Sequence, residues 1–212
     1  MRNALCLLVV FSVFGSAHAQ PTDRAEALAA LTSPAQVERA QAVVTLAGSG
    51  EMRDVPALLA RLREDDAPVV RGLAEQAIWA IWSRSGDAAV DALFAQGLEA
   101  MRAGQLRSAI GTFTRIIKRK PDFAEGWNKR ATAYFLAGDY ERSLADCDEV
   151  MRRNPLHFGA LAGYGQIYLR LGQYEKSLAY LRRALHVNPN MEGVRALIEE
   201  IEARVRAGRK TI

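Results

Sequence analysis

Cysteine and histidine are scarce in this 212-residue sequence, which contains two cysteines and three histidines. Cys6 lies in an N-terminal segment that we expect to be removed, so Cys147 is left without a partner for an intramolecular disulfide bond. His157 and His186 have no second histidine or cysteine at the spacing of a metal site. We therefore expect no metal, no cofactor and no disulfide, and Cys147 as a small buried apolar residue.

Catalytic motifs are lacking as well. The sequence contains no phosphate-binding loop, no nucleophile elbow and no zinc-binding helix motif. Five acidic residues at positions 139–149 do not have the spacing of a calcium loop and are most simply the polar side of a helix. We predict that the chain is not an enzyme.

Residues 1–19 have the pattern of a secretory signal peptide: Arg2, an apolar run at 4–14 and the closing Ala17-His18-Ala19. The run is shorter than the ~20 residues that span a bilayer, which argues against the alternative of a retained anchor. We expect cleavage after Ala19 and export to the periplasm. The loss of Arg2 lowers the net charge from +4 to +3.

The densest positive charge lies at residues 115–120, with the sequence RIIKRK. The helix dipole favours cations at the end of a helix, and the aromatic residues that accompany cations in grooves for single-stranded nucleic acid are missing here. We predict no nucleic-acid partner. Contact of this basic face with a membrane surface stays open as an alternative.

A repeated pattern runs through the second half of the chain, where Pro121, Pro155 and Pro189 follow at intervals of 34 residues. Aligned on these prolines, residues 90–121 and the two units after them each contain two helix-length stretches. The later units are residues 124–155 and 158–189. Each break between stretches carries a glycine, which commonly ends a helix with a positive φ: Gly104, Gly138 and Gly172.

Small residues stand where the two helices of each unit would cross, which lets the backbones approach closely: Gly97 with Ala109, Ala131 with Ser143, and Gly165 with Ser177. With these positions the units resemble the tetratricopeptide repeat over residues 87–189. The resemblance implies an all-α fold, a right-handed α-solenoid of stacked antiparallel helix pairs with a concave groove. Residues 190–212 begin with apolar residues at helical spacing and are predicted to form a capping helix and tail.

In this family, partners lie along the concave face, which is lined by the first helix of each unit. The resemblance therefore implies a partner-binding groove formed by Phe94, Leu98, Met101, Arg102, Glu125, Asn128, Lys129, Thr132, Phe135, Ala162, Gln166, Leu169 and Arg170. Some members of the family bind a terminal carboxylate through lysines and asparagines of successive units. In the first unit of this chain, Phe94 and Leu98 stand at the positions of that set, which argues against this mode of binding. The alternative for Phe94, Leu98 and Met101 is burial, under residues 20–86 or in a dimer contact.

Residues 20–86 contain two similar stretches at an interval of 32 residues, in which Arg39 matches Arg71. They resemble short HEAT-type helical repeats, and a plain four-helix bundle is the alternative. Trp79 and Trp82 lie in a helix that is apolar nearly all round, so we expect it to be sandwiched between this segment and the first repeat unit. Gly86 is expected to end that helix.

Two functional hypotheses follow from a repeat architecture without catalytic motifs. The first is an interaction scaffold of the cell envelope that binds a protein or peptide segment in the groove. The second is a structural or self-associating subunit, a homo-oligomer or a chain docked on a membrane through its basic face. The sequence does not identify the partner.

Overall fold

The computed structural model describes residues 23–209, so the predicted signal peptide lies outside the described residues. These residues form an all-α fold, as predicted. None of the described helices has the length and apolar character needed to cross a membrane. The helices are α1 (Arg24–Ala30), α2 (Gln36–Ser49), α3 (Val55–Glu64), α4 (Pro68–Trp82), α5 (Ala88–Arg102), α6 (Leu106–Arg119), α7 (Ala124–Leu136), α8 (Tyr140–Arg153), α9 (Phe158–Arg170), α10 (Tyr174–Val187) and α11 (Glu192–Arg209).

Helices α5 to α10 form the three predicted helix pairs. The turn inside each pair contains the predicted glycine with a positive φ: 71° at Gly104, 80° at Gly138 and 70° at Gly172. Because side chains other than glycine are disfavoured in this backbone conformation, the glycine fixes where the first helix of each pair ends. Helix α5 begins after Asp87, whose carboxylate caps it by accepting hydrogen bonds from the Ala89 and Val90 amides.

The helices of each pair approach closely at the predicted small residues. A Cβ atom on Gly97 would lie 2.6 Å from Phe113 Cε1, and one on Gly165 would lie 2.4 Å from Leu181 Cδ2. The Ser177 hydroxyl donates to the Gly165 carbonyl at 2.7 Å. These crossings need small residues because a larger side chain would force the paired helices apart.

Helix α11 covers the end of the third pair, as a terminal element of a solenoid must. Val194, Ile198 and Ile201 are buried in one apolar cluster with Leu181 and Ala184 of α10. The predicted capping helix is therefore present.

Helices α1 to α4 form two further pairs at the N-terminal end. The Arg39 guanidinium of α2 donates two hydrogen bonds to the buried Asp65 carboxylate before α4, at 2.7 and 2.9 Å. This buried ion pair ties α2 to the start of α4. The resemblance of the segment to HEAT-type repeats stays a prediction.

Helix α4 does not lie where the sequence predicted. Trp82 stacks on His157 with ring centroids 4.4 Å apart, and Trp79 meets Phe158 edge to face at 5.1 Å. The N-terminal segment therefore packs against the start of the third pair, and the expectation that α4 is sandwiched against the first pair is wrong. Gly159 leaves space for the Trp79 ring, because a Cβ atom at position 159 would lie only 2.6 Å from Trp79 Cη2.

Two hydrogen bonds extend this contact to the end of the third pair. Arg63 Nε donates to the Val187 carbonyl at 2.9 Å, and Asn190 Nδ2 donates to the Leu62 carbonyl at 3.2 Å. The N-terminal segment thus touches both ends of the chain segment 157–190. The cluster around Phe94 in the first pair contains no residue of α1 to α4.

Candidate functional site

A cleft lies between α7, α9 and α11, and we call it the repeat cleft. Its larger part has a volume of about 560 Å³ and is lined by Phe135, Gln166, Leu169, Arg170, Gly172, Tyr174, Leu197, Glu200 and Arg204. Phe135 and Gln166 also line a smaller depression between α7 and α9, together with Thr132 and Asn128. The structure therefore brings five of the sequence-predicted groove residues together, whereas the sixth, Asn128, is buried beside the depression.

The repeat cleft combines apolar and polar groups. The Arg170 guanidinium lies 6.0 Å from the centroid of the Phe135 ring, which is half-buried. Gln166 is exposed and offers an amide to a backbone. Glu200 and Arg204 bring charges of both signs from α11. An extended segment with an apolar side chain beside a carboxylate matches this set of groups.

The first helix pair contributes less to an open groove than the sequence predicted. Phe94 is only 6% exposed and packs between Phe113 and Phe123, and Leu98 and Met101 are half-buried against the same cluster. Burial, the alternative interpretation, therefore holds for Phe94, but the covering residues come from its own repeat unit and from the turn that precedes the next one. Arg102 is exposed and pairs with Glu99 on the same helix. Ala162 is buried too.

Glu125, Asn128 and Lys129 belong to a polar cluster beneath α4 rather than to an open groove. Glu125 is fully buried; it accepts from His157 Nε2 at 2.8 Å and from Asn128 Nδ2 at 3.0 Å. Lys129 Nζ lies 3.5 Å from Glu125 and 5.3 Å from the Trp79 ring centroid. The predicted availability of Glu125 and Asn128 is wrong, because each is more than nine-tenths buried.

The charge on Glu125 is stabilised by its neighbours. Burial alone would raise the pKa of this carboxyl group, but the hydrogen bonds from His157 and Asn128 and the positive charge of Lys129 outweigh burial and lower the pKa to about 2. His157 Nδ1 accepts from the Ala160 amide at 3.0 Å, so the ring donates to Glu125 through Nε2. The cluster thus joins the start of α7 to the start of α9.

Cys147 and the basic run behave as ordinary parts of the fold. Cys147 is buried, as predicted, and burial together with Asp146 and Asp148 raises the pKa of its thiol to about 12. Among residues 23–209, no group of three His, Cys, Asp or Glu side chains could hold a metal ion. Within the basic run, Arg119 pairs with Asp87 and Lys120 with Asp122, which leaves less positive charge than the sequence indicates.

The α11 wall of the repeat cleft is not predicted by the sequence. Leu197 belongs to the apolar residues at helical spacing in the capping helix, and Glu200 and Arg204 lie off that face. A faint signal was present, because Glu200 and Arg204 are four residues apart and so share a helix face. Their position opposite Arg170 depends on the packing of α11 on α10.

Comparison with known proteins places this geometry among helical repeats. Two family models described as tetratricopeptide repeat match residues 94–152 and 134–201. A TPR repeat-containing protein from Rhizobium etli is 31% identical over 121 residues, which cover 57% of this chain and 59% of that protein. The chain thus spans about three fifths of the length of this curated relative.

Solved structures with the same fold include two TPR domains. The Sgt2 TPR domain from Aspergillus fumigatus superposes with a TM-score of 0.56 at 17% identity, covering 58% of this chain and 83% of that one. The first TPR of Spaghetti (RPAP3), bound to the HSP90 peptide SRMEEVD, superposes with a TM-score of 0.53 at 20% identity, covering 55% and 93%. At these identities the likeness shows the fold.

Proposed function

We propose that this chain, which belongs to the tetratricopeptide repeat family, is a protein-interaction scaffold without catalysis of its own. Its partner contributes an extended segment that lies in the repeat cleft. The observation that carries this proposal is the cleft itself, in which groups from α7, α9 and α11 face one open volume of about 560 Å³. The peptide in the Spaghetti complex supports an occupant of this kind.

The side chains of the cleft specify the chemistry of the segment. Phe135, Leu169 and Leu197 offer apolar contact area, and Gln166 offers one donor and one acceptor to a passing backbone. Arg170 and Arg204 favour a carboxylate on the segment. We therefore expect a partner segment with an apolar anchor next to an acidic residue.

Site-directed photo-crosslinking in intact cells tests the proposal. A photoreactive amino acid replaces Gln166, which is exposed in the cleft, and a matched control replaces Ala145, which is exposed on α8 outside it. We expect a discrete crosslinked protein at position 166 that is absent at position 145. The substitution R170E should weaken that crosslink, because it reverses the charge offered to the acidic residue.

Three results would contradict the scaffold proposal. One is the absence of any specific crosslink at position 166, and another is an equal pattern at both positions. The third is a crosslink at position 166 to a second copy of the chain, since that outcome assigns the cleft to self-association.

We also propose that the scaffold works in the cell envelope, on the basis of the signal-peptide pattern in residues 1–19. N-terminal sequencing of the protein from a periplasmic fraction should begin at Gln20. Recovery of the chain with residues 1–19 intact, in the cytoplasm, would contradict this location.

A further inference from the structure

An apolar groove lies on the N-terminal segment, along α2 and the start of α4, and shares no lining residue with the repeat cleft. We call it the valine groove. Val37, Val44 and Val69 line it and are 61%, 56% and 51% exposed. Its volume is about 390 Å³, and the remaining lining residues are Gln36, Ala40, Gln41 and Thr45. Several exposed apolar side chains around one groove indicate an interaction surface.

Helix α2 exposes these valines because it carries apolar residues on two faces. Ala42, Val43 and Leu46 are buried in the core of the N-terminal segment. Val37 and Val44 are seven residues, about two turns, apart and therefore share the face directed away from that core. A helix that is apolar on a second face is normally covered on that face as well.

The exposed face of α2 has the shape that a second helix requires. Val37, Ala40 and Val44 follow at intervals of three and four residues, which is the spacing of a seam between two packed helices. A Cβ atom on Gly48, one turn further, would have no atom within 4 Å, so this end of the face is open. Small residues beside the valines allow the axis of another helix to approach to ~8–10 Å.

The charge of this face indicates which helix fits it. None of the described residues that line the valine groove is charged, although 25% of the residues in the chain are. Arg39 of the same helix is directed into the segment, where it binds Asp65. A partner selected by charge would find no opposite charge here, whereas a second copy of the same face meets it without repulsion.

A two-fold axis makes the face complementary to itself. In such a contact each residue meets a residue of the same surface on the other copy. With the axis close to Ala40, Val37 of each copy lies against Val44 of the other. The two helices are then antiparallel, and the positive N-terminal end of one helix dipole lies beside the negative C-terminal end of the other.

We propose that the valine groove binds a second copy of this chain, through antiparallel packing of the two α2 helices about a two-fold axis close to Ala40. Each copy contributes one helix of 14 residues and Val69. Interfaces below ~1,200 Å² belong to weak complexes, so we expect a dimer with a Kd on the order of 100 µM. The dimer presents two repeat clefts, and this inference goes beyond the proposed scaffold function.

Sedimentation equilibrium of the purified protein, from about 5 to about 500 µM, measures the association. V44E places a carboxylate in the seam and should weaken the dimer by at least about tenfold. L156E is the matched control, because Leu156 is also exposed, by 40%, but lies in a turn outside the groove. Since both positions are exposed, both variants should unfold at the wild-type temperature, and L156E should dimerise as the wild type does.

A charge pair tests the antiparallel register. In the double variant V37K/V44E, the lysine of each copy faces the glutamate of the other. Association lost in V44E should therefore return in the double variant and weaken as the salt concentration rises.

Disulfide formation tests the same geometry independently of affinity. A40C should form a disulfide-linked dimer on oxidation, because the two cysteines meet at the axis. V37C alone should not, since its own copy lies about 10 Å away along the helix, beyond the ~7 Å limit for a disulfide. A mixture of V37C and V44C should form the mixed dimer. Cys147 is buried, so the wild type should show no crosslink.

Four results would overturn the proposal. The first is a protein that stays monomeric up to the highest concentration, and this includes one that binds phospholipid vesicles through the valines instead. The second is a V44E variant that dimerises as the wild type does. The third is an equal loss of association in L156E. The fourth is a disulfide between two copies of V37C that forms as readily as the one between V37C and V44C.

Discussion

Gly163 and Gly165 lie two residues apart in α9 but face different surroundings. A Cβ atom at position 165 would lie 2.4 Å from both Cγ and Cδ2 of Leu181, whereas at position 163 the nearest atom is Cys147 Sγ at 3.7 Å, an ordinary contact. At either position, the higher helix propensity of alanine should stabilise the folded state by about 1 kcal/mol relative to glycine. The difference between G163A and G165A therefore isolates the steric clash.

The magnitude of the clash follows from the burial of Leu181, which is 0% exposed and has no open space to move into. Overpacking of this kind costs about 1–3 kcal/mol. G163A should stabilise the protein by about 0.5–1 kcal/mol, and G165A should be less stable than G163A by about 1–3 kcal/mol. For a chain of this length, that difference corresponds to roughly 2–12 °C in Tm.

Urea unfolding followed by far-UV circular dichroism measures both variants under the same conditions. Shortening the opposing side chain provides a second test, because L181A should remove the clash. G165A should then cost less in the L181A background, with a coupling free energy of about 1 kcal/mol or more. The reasoning about the helix crossing is refuted if G165A is as stable as G163A, or if the coupling is zero.

Three other predictions rest on single residues. At pH values above 4.5, the ordinary pKa of the carboxyl group, the depressed pKa of Glu125 contributes up to about 3 kcal/mol to the free energy of unfolding, and this contribution is lost as the pH falls towards 2. E125Q should therefore be less stable than the wild type at neutral pH, and unfolding measured from pH 7 down to pH 2 should show the difference in stability becoming smaller. A difference that does not change with pH would contradict the charged form of Glu125. The Cys147 thiol should react with iodoacetamide at least about tenfold more slowly in the native chain than in urea, and equal rates would contradict its burial. G138A should cost about 1–2 kcal/mol in thermal unfolding because of the positive φ, whereas G111A, in an open position of α6, should not destabilise.

The repeat architecture could be predicted because its signals are local. Each unit is one helix pair with its connection, so the interval of 34 residues is the length of one unit. The glycine of the turn and the small residues at the crossing also lie within that unit. Gly97 and Gly165 confirm this, since each meets a large side chain of its own unit, Phe113 or Leu181. The burial of Cys147 followed from the same alignment.

The docking of α4 could not be predicted, because it depends on a contact between distant parts of the chain. The apolar character of Trp79 and Trp82 correctly indicated a buried helix, but it did not identify the surface that buries them. His157 and Phe158 provide flat rings at the start of α9. The first repeat unit buries its own Phe94 instead, between Phe113 and Phe123, so it has no such surface to offer.

The same contact explains why the prediction of the groove succeeded only in part. Lys129 and its partner Glu125 lie at the start of α7, on the side where Trp79 of α4 packs. Phe135 and Arg170 lie at the other ends of α7 and α9, and these ends remain open towards α11. Periodicity assigns all four residues to first helices of their units, but it cannot say which end another segment covers.

The N-terminal segment also changes how the repeats depend on one another. In a simple solenoid each unit contacts only its neighbours, and stability is close to a sum of nearest-neighbour terms. Here hydrogen bonds connect residues 124 and 128 positions apart, from Arg63 to Val187 and from Asn190 to Leu62. Because α3 is bonded to the end of α10 and to the turn before α11, and α4 packs on the start of α9, loss of either end of the chain removes contacts from the other. The repeat cleft lies between elements held in this way, so its shape depends on a segment that does not line it.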